Sequence, residues 1–403
     1  MVLTINIVER RSCYEWFYTA LGRNGGLKRK RWKIGIPAVL IALAVFFNIL
    51  ARVSKGFSEF YVNQIFPVWV ETYGRVTGLF SFSVGEWMLY LAVGLVVILV
   101  LAGVVTLAVR RVLPGWWKRA YKGYAMFLYW VFGIVCVIMT WNCFLLYQAP
   151  VISERFAIGG RPGREYGIEE IGILRDYVVT QANELSVCFQ RDEKGYIIYD
   201  MDMEAEAIAQ MQSLASLFPN LEGYYPRPKK LFFSGFYSQQ YIMGYYFPFS
   251  MEANINPQMY LTNMPVTMCH ELSHLKGFLL EDEANFIGYL ACITSEDPLF
   301  CYSALLSVIG YLDRDLAAAV GRDSQEYQSH VPISRLVAAD RMFLTKEAWQ
   351  QVEENAFWDT RTVSQAADTF LNTTLTLNGV SDGTVSYSRV VKLLLQYYDG
   401  ILY

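Results

Sequence analysis

Three long apolar runs set the frame within which this chain must fold. The first, Ile34 to Ala51, follows a basic segment holding Arg23, Lys28, Arg29, Lys30, Arg31 and Lys33. The second runs uncharged from Trp87 to Val109, between Glu86 and the pair Arg110-Arg111. The third extends from Tyr124 to Tyr147 and carries Trp130 and Trp141, aromatic residues suited to a membrane interface. Each run is near or beyond the length of about 20 residues with which a helix crosses a bilayer. A cleaved secretory leader would have a shorter apolar core and a small-residue cleavage site, so the first run reads as an uncleaved span. With 54% hydrophobic and 18% charged residues, the chain is too apolar for an ordinary water-soluble protein.

Positive charge sets the expected orientation. Lys and Arg crowd the segment before the first run and the loop after the second, which holds Arg110, Arg111, Lys118, Arg119 and Lys122. The stretch between the first two runs is less dense, with Arg52, Lys55 and Arg75. Cytoplasmic loops carry the excess of basic residues, which predicts a cytoplasmic N-terminus and, after three crossings, an extracytoplasmic C-terminal part. The expected organisation is a basic segment 1–33, a membrane region 34–149 with spans near 34–51, 87–109 and 124–147, and an outer domain 150–403. The net charge of −3 gives no footprint for nucleic acid. Spans without internal charge offer little for a transport path.

Beyond Pro150 the composition becomes that of a water-soluble, mainly α domain. Helical periodicity marks Ile168 to Leu185 and Met203 to Phe218, and later Phe286 to Thr294, Leu299 to Leu312 and the closing Tyr387 to Tyr403. Between them, Leu231 to Ser234 and Tyr241 to Phe247 are β-prone and predict a small sheet, followed by a turn at Asn254-Ile-Asn-Pro257. An edge strand at this place could pair with an extended peptide, and Glu252, Asn254 and Asn256 are candidate cleft residues. The cysteines lack metal-site spacing. Cys269, beside His270, points about 100° away from it on a helix and reads as packing.

The chemistry concentrates at His270-Glu-Leu-Ser-His274, which uses two of the chain's three histidines. Residues i and i+4 share a helix face, so His270 and His274 can reach one metal ion. Glu271, at the edge of that face, can take a proton from a water activated by the metal without being a ligand itself. A third ligand is needed. On one straight helix Glu281 would lie about 10 Å beyond His274, too far to share an ion. The chain must turn, and Gly277 is the natural helix end, with a second helix starting at the acidic group Glu281-Asp-Glu283. Either Glu281 or Glu283 could then complete the site. The remaining histidine, His330, lies in a loop-like stretch; it, or one of the tyrosines, is a candidate for stabilising an oxyanion.

Glu281-Asp-Glu-Ala-Asn285 resembles the E-x-x-A-D/N signature of gluzincin-type metallopeptidases, including membrane-integrated enzymes that process prenylated proteins. The resemblance implies that Glu281 is the third zinc ligand and that Asn285 supports the site from behind the ligands. The connecting turn is much shorter than in those enzymes, which keeps Glu283 as the alternative. The whole chain also resembles domain-of-unknown-function family 3810, a bacterial membrane family. The matching features are Phe82-Ser-Val-Gly-Glu86, Glu252-Ala-Asn254 with Asn256, His270-Glu-Leu-Ser-His274, Gly277-Phe278 and Glu281-Asp-Glu-Ala-Asn-Phe286. That resemblance implies a few membrane helices followed by a zinc-motif domain, and it supplies no substrate.

These readings together predict a membrane-anchored, Zn²⁺-dependent metallopeptidase-like protein. His270, His274 and Glu281 hold the metal, Glu271 is the general base, and the substrate is a peptide or membrane-proximal protein segment. The competing reading is a membrane-tethered sensor or interaction protein with a structural zinc site. Glu271 separates the two, since a structural site has no use for a carboxylate beside its ligands.

Overall fold

The computed structural model describes residues 32–160, 164–377 and 387–403. The basic residues up to Arg31, and Cys13 with them, lie outside that range. Among the described residues, three helices are long and apolar enough to cross a membrane: α1 (Trp32–Val53), α2 (Val84–Ala108) and α3 (Gly115–Gln148). None of the most apolar window of α2 is buried by protein, as expected of a helix apolar on every side with lipid for its surroundings.

The described residues form two compact units, the first comprising those up to Leu50 with Tyr90–Thr140, the second those of Ala51–Leu89 with Trp141–Tyr403. The first unit is a helix packing of the kind lipid favours, built on small residues and interhelical hydrogen bonds. Gly133 on α3 lies against Pro37 of α1, where an added Cβ would come within 3.3 Å of the proline backbone. Asn48 Nδ2 donates to Thr140 Oγ1 at 2.8 Å. Trp117 Nε1 donates to Thr106 Oγ1 at 2.9 Å, and the Tyr124 hydroxyl to the Leu95 carbonyl at 2.7 Å.

The second unit reaches further toward the N-terminus than composition indicates. The stretch between α1 and α2, where the sequence showed no apolar run, is helical in short runs from Lys55–Phe60 to Arg75–Thr77. It is interrupted by π-helical turns at Tyr61–Ile65 and Val70–Gly74. Its apolar residues Tyr61, Val62, Phe66 and Val70 are buried in the core of the second unit.

After α3 the second unit continues with α4 (Ile168–Ser186) and α5 (Met203–Ser213). A three-stranded sheet follows, made of β1 (Lys229–Lys230), β2 (Gly244–Phe247) and β3 (Glu252–Ile255), with α6 (Ser234–Gln239) between β1 and β2. The strand order is β1-β3-β2; β3 runs parallel to β1 and antiparallel to β2, with Tyr245 opposite Asn254. The sheet departs from the sequence expectation in two places. The strand β1 stops at Lys230, so the β-prone residues 231–234 lie beyond it and lead by a turn into α6, which begins at Ser234. Asn254, expected at a turn, lies in the fully buried central strand. Its polar side chain is tolerated there because its amide donates to the Tyr245 and Glu252 carbonyls, at 3.3 and 3.4 Å.

The core of this unit is formed by α7 (Met264–His274), α8 (Glu281–Ile293) and α9 (Pro298–Val320), against which α4 and α5 pack. Short helices follow, then α10 (Thr360–Leu377) and α11 (Tyr387–Tyr398). The helices α7 and α8 approach closely at Gly288. A Cβ on that residue would lie 3.1 Å from the Val266 carbonyl and 3.2 Å from the His270 nitrogen. Cys269 is buried between these two helices with its Sγ 3.7 Å from Cys292 Sγ, as a packing residue.

The start of α2 is fastened to the sheet by buried charge. Glu252 accepts the Gly85 N–H at 2.7 Å and the Val84 N–H at 3.3 Å, placing a carboxylate at the positive end of the helix. Lys229 is ion-paired with the same carboxylate and donates to the Thr77 carbonyl at 2.7 Å. Gly85 is required by proximity, since a Cβ there would sit 2.5 Å from the Phe247 ring. Glu86 belongs to the first turn of α2, is itself buried, and accepts the backbone N–H groups of Phe232 and Phe233 at 2.7 and 2.9 Å.

Candidate metal centre

The local sequence sets the turn that builds the site. α7 ends at His274, and Gly277 adopts φ +90°, the left-handed conformation that suits glycine at a helix C-terminus. The Phe278 N–H returns to the Ser273 carbonyl at 3.2 Å. The chain then reverses, and α8 begins at Glu281 with the three acidic residues in its first turn, where carboxylates suit the positive helix end. The Glu281 side chain is thereby carried back to the two imidazoles.

His270, His274 and Glu281 form one cluster whose ligand atoms all lie within 4.8 Å of one another. The two Nε2 atoms are 3.1 Å apart, and Glu281 lies 3.3 Å from His270 Nε2 and 3.9 Å from His274 Nε2. Tetrahedral ligands at zinc–nitrogen distances near 2.0–2.1 Å stand about 3.3 Å from one another, close to these separations. The outward nitrogens are occupied as well. His274 Nδ1 lies 2.7 Å from the Phe278 carbonyl and His270 Nδ1 lies 3.0 Å from Asn285 Oδ1. A carbonyl can only accept, so each Nδ1 is the donor, and in the neutral form of each ring Nε2 turns its lone pair toward the centre. Two facing lone pairs and a carboxylate form a donor set that could hold a divalent metal.

Electrostatics agree with the geometry. Burial opposes charge on His270, but the Glu281 carboxylate outweighs it and raises the imidazole to about 9. Burial also opposes charge on His274; His270 adds to this, and the group falls to about 4. Glu281 is lowered to about 2, because its hydrogen bond to His270 and the charges of both histidines overcome the burial that would raise it. Without a metal, a proton held by His270 therefore faces the Glu281 carboxylate.

Glu271 stands beside this centre and outside the ligand set. It is buried, and its Oε2 has no hydrogen-bond partner. Burial, with a contribution from the charge of Glu281, pushes its carboxyl up to about 8, while the charge of His270 and the Tyr246 backbone N–H pull the other way. Strand β2 makes room for it at Gly244, where a Cβ would lie 2.9 Å from Glu271 Oε1. β2 is an edge strand, as the order β1-β3-β2 requires.

The other sequence candidates are placed elsewhere. Glu283 turns away from the imidazoles and accepts the Ile152 N–H at 2.5 Å, closing the short helix Ile152–Arg155 that follows α3. His330 pairs with Asp176 at 2.8 Å and packs on Gly172 of α4, apart from the cluster. Glu252 serves the start of α2, and Asn256 bonds Ser238 and the Ile242 carbonyl, so neither lines the metal centre. Among the tyrosines, the Tyr246 ring lies 6.2 Å from that of His274 while its hydroxyl is tied to the Asn142 carbonyl. The Phe278 carbonyl, Gly244 and the Tyr246 N–H were hidden in the sequence, because backbone groups and an absent side chain leave no chemical signature there.

Residues 61–395 match the model of a family described as "Protein of unknown function (DUF3810)". The chain belongs to this family. The DUF3810 match takes in the start of α2, the sheet, both ligand helices and most of α11, the elements that build and brace the centre. No curated protein and no solved structure gives a significant match.

Proposed function

We propose that this DUF3810 protein is a membrane-anchored, zinc-dependent metallopeptidase. The observation that carries the reading is the pairing of inward Nε2 atoms, each fixed by an acceptor behind it, with a buried carboxylate, Glu271, held beside the ligands and not among them. His270, His274 and Glu281 would hold Zn²⁺, which when bound lowers the pKa of a water and polarises a carbonyl. Glu271 takes the proton of the attacking water and delivers it to the leaving amine. Its apolar setting suits a base that must hold and release a proton near neutrality. β2, an edge strand beside Glu271, is where a peptide in extended form would align. The packing of residues 51–89 with 141–403 supports placing both on one side of the membrane, as three crossings require. The basic loops favour the outside for that unit, with the N-terminus in the cytoplasm.

The test uses the full chain in detergent or proteoliposomes, native and Glu271→Gln, assayed for bound metal and for cleavage of a diverse peptide library. Zinc in both, with cleavage by the native chain alone, is the expected result. Cleavage that survives Glu271→Gln, or zinc in both with no cleavage by either, would overturn the peptidase reading. The second of these outcomes favours the tethered sensor.

A further inference from the structure

The second unit carries a cluster of outward-facing aromatic side chains at the point where α2 begins. Phe232 is 72% exposed, Phe236 49%, Phe357 90% and Trp358 62%. Just before α2, Phe80 and Phe82 are half exposed, with ring centres 5.4 Å apart. Large apolar groups left in the open at this density mark an interaction surface.

Hydrogen bonds tie the cluster to the first turn of α2. Glu86 in that turn accepts the Phe232 and Phe233 N–H groups, and the neighbouring Trp87 ring is centred 6.5 Å from the Phe232 ring. Phe236 follows on α6. At the end of α6, Gln239 Nε2 donates to the Trp358 carbonyl at 2.8 Å and to Thr360 Oγ1 at 3.1 Å, which brings Phe357 and Trp358 to the same place.

We propose that this face is a lipid contact, seated in the interfacial layer of the bilayer that α2 enters. A span apolar from Trp87 onward has its first turn at the membrane surface. Groups bonded to that turn stand at the same level. Trp and Phe are the side chains that gain there, burying apolar rings among headgroups and upper acyl chains. Glu86 is compatible with this position because it is buried and the two N–H groups satisfy its carboxylate.

The contact adds a second hold on the membrane beyond the spans, and it does not depend on the chemistry proposed for the metal centre. It also orients that centre. β2 passes Glu271 and ends at Phe247 against Gly85 of α2, so a substrate would be met close to the bilayer surface.

The experiment places photoreactive benzoylphenylalanine at Phe232, Phe236 or Trp358 of the full chain, in proteoliposomes of phosphatidylethanolamine and phosphatidylglycerol. Glu184, an exposed charged residue of α4, is the reference position. After illumination, intact mass is expected to show lipid adducts several-fold above the Glu184 level at all three positions. Adducts at the Glu184 level, or crosslinks to a second copy of the chain in their place, would overturn the proposal. Adducts at Phe232 alone would also overturn it, since the face would then not extend past the start of α2. The readout involves neither metal nor hydrolysis, so its failure is distinct from failure of the peptidase reading.

Discussion

The two nitrogens of each site histidine serve different ends, and mutations on either side of the ring should separate them. Asn285→Ala removes the acceptor behind His270 Nδ1 while leaving every ligand in place. Losing such a partner lowers metal affinity by about 10–100-fold, which competition against a chromophoric chelator measures. Glu281→Ala is expected to abolish stoichiometric zinc. Glu283→Ala should leave zinc intact and instead destabilise the fold by about 1–3 kcal/mol, because the Ile152 N–H loses its buried acceptor. A zinc loss in Glu283→Ala, with Glu281→Ala still loaded, would reverse the ligand assignment. Acid should weaken metal binding. His270 is raised to about 9 in the free site, so metal displaces its proton at any lower pH. Affinity then falls about tenfold per pH unit for each proton displaced, and titration calorimetry in buffers of different ionisation heat reads the proton released.

At the level of elements, the site exists because two helices meet at a tight turn and a close crossing. Gly277 adopts φ +90° with Val62 Cγ1 2.7 Å from where a Cβ would stand, so Gly277→Ala is both strained and crowded. We expect a loss of stability of about 1–3 kcal/mol, read as a lower unfolding temperature in detergent, together with weaker zinc binding. The joint between β3 and α2 is more sensitive. Glu252→Ala leaves Lys229 charged, buried and unpaired, a change of about 3–5 kcal/mol for a fully enclosed ion pair. The double replacement Lys229→Met with Glu252→Gln should recover much of that difference in thermal unfolding. Failure to recover would mean that the helix N–H groups, and not the lysine, are what Glu252 chiefly serves.

For the whole molecule, the unit that holds the candidate metal centre is discontinuous in sequence. A fragment beginning at residue 150 lacks Tyr61, Val62, Phe66 and Val70, which are buried in that unit. It should therefore be aggregated or rapidly proteolysed under conditions where the full chain resists protease, and a stable, zinc-loaded fragment would contradict this packing. Three crossings also predict a defined sidedness. A cysteine placed at Val112, between α2 and α3, should react with an impermeant maleimide only from the cytoplasmic face. The exposed native Cys188 should react only from the opposite face.

Much of this was legible in the chain itself. Apolar runs announce spans because lipid offers no other place for them, and the i, i+4 histidines fix a shared helix face by helix geometry alone. A single glycine between His274 and Glu281 announces the turn, since few other residues tolerate it. What needed the tertiary structure were the relations between distant segments. The choice of Glu281 over Glu283 as the carboxylate beside the imidazoles depends on which way α8 faces after the turn. The meeting of Phe82-Ser-Val-Gly-Glu86 with Glu252 depends on a sheet packed against the start of a membrane helix. Burial of the stretch between α1 and α2 depends on a core assembled from both ends of the chain. Local sequence encodes backbone preference and periodicity, but long-range packing decides which of several similar side chains points at a site and which is used to hold the fold together.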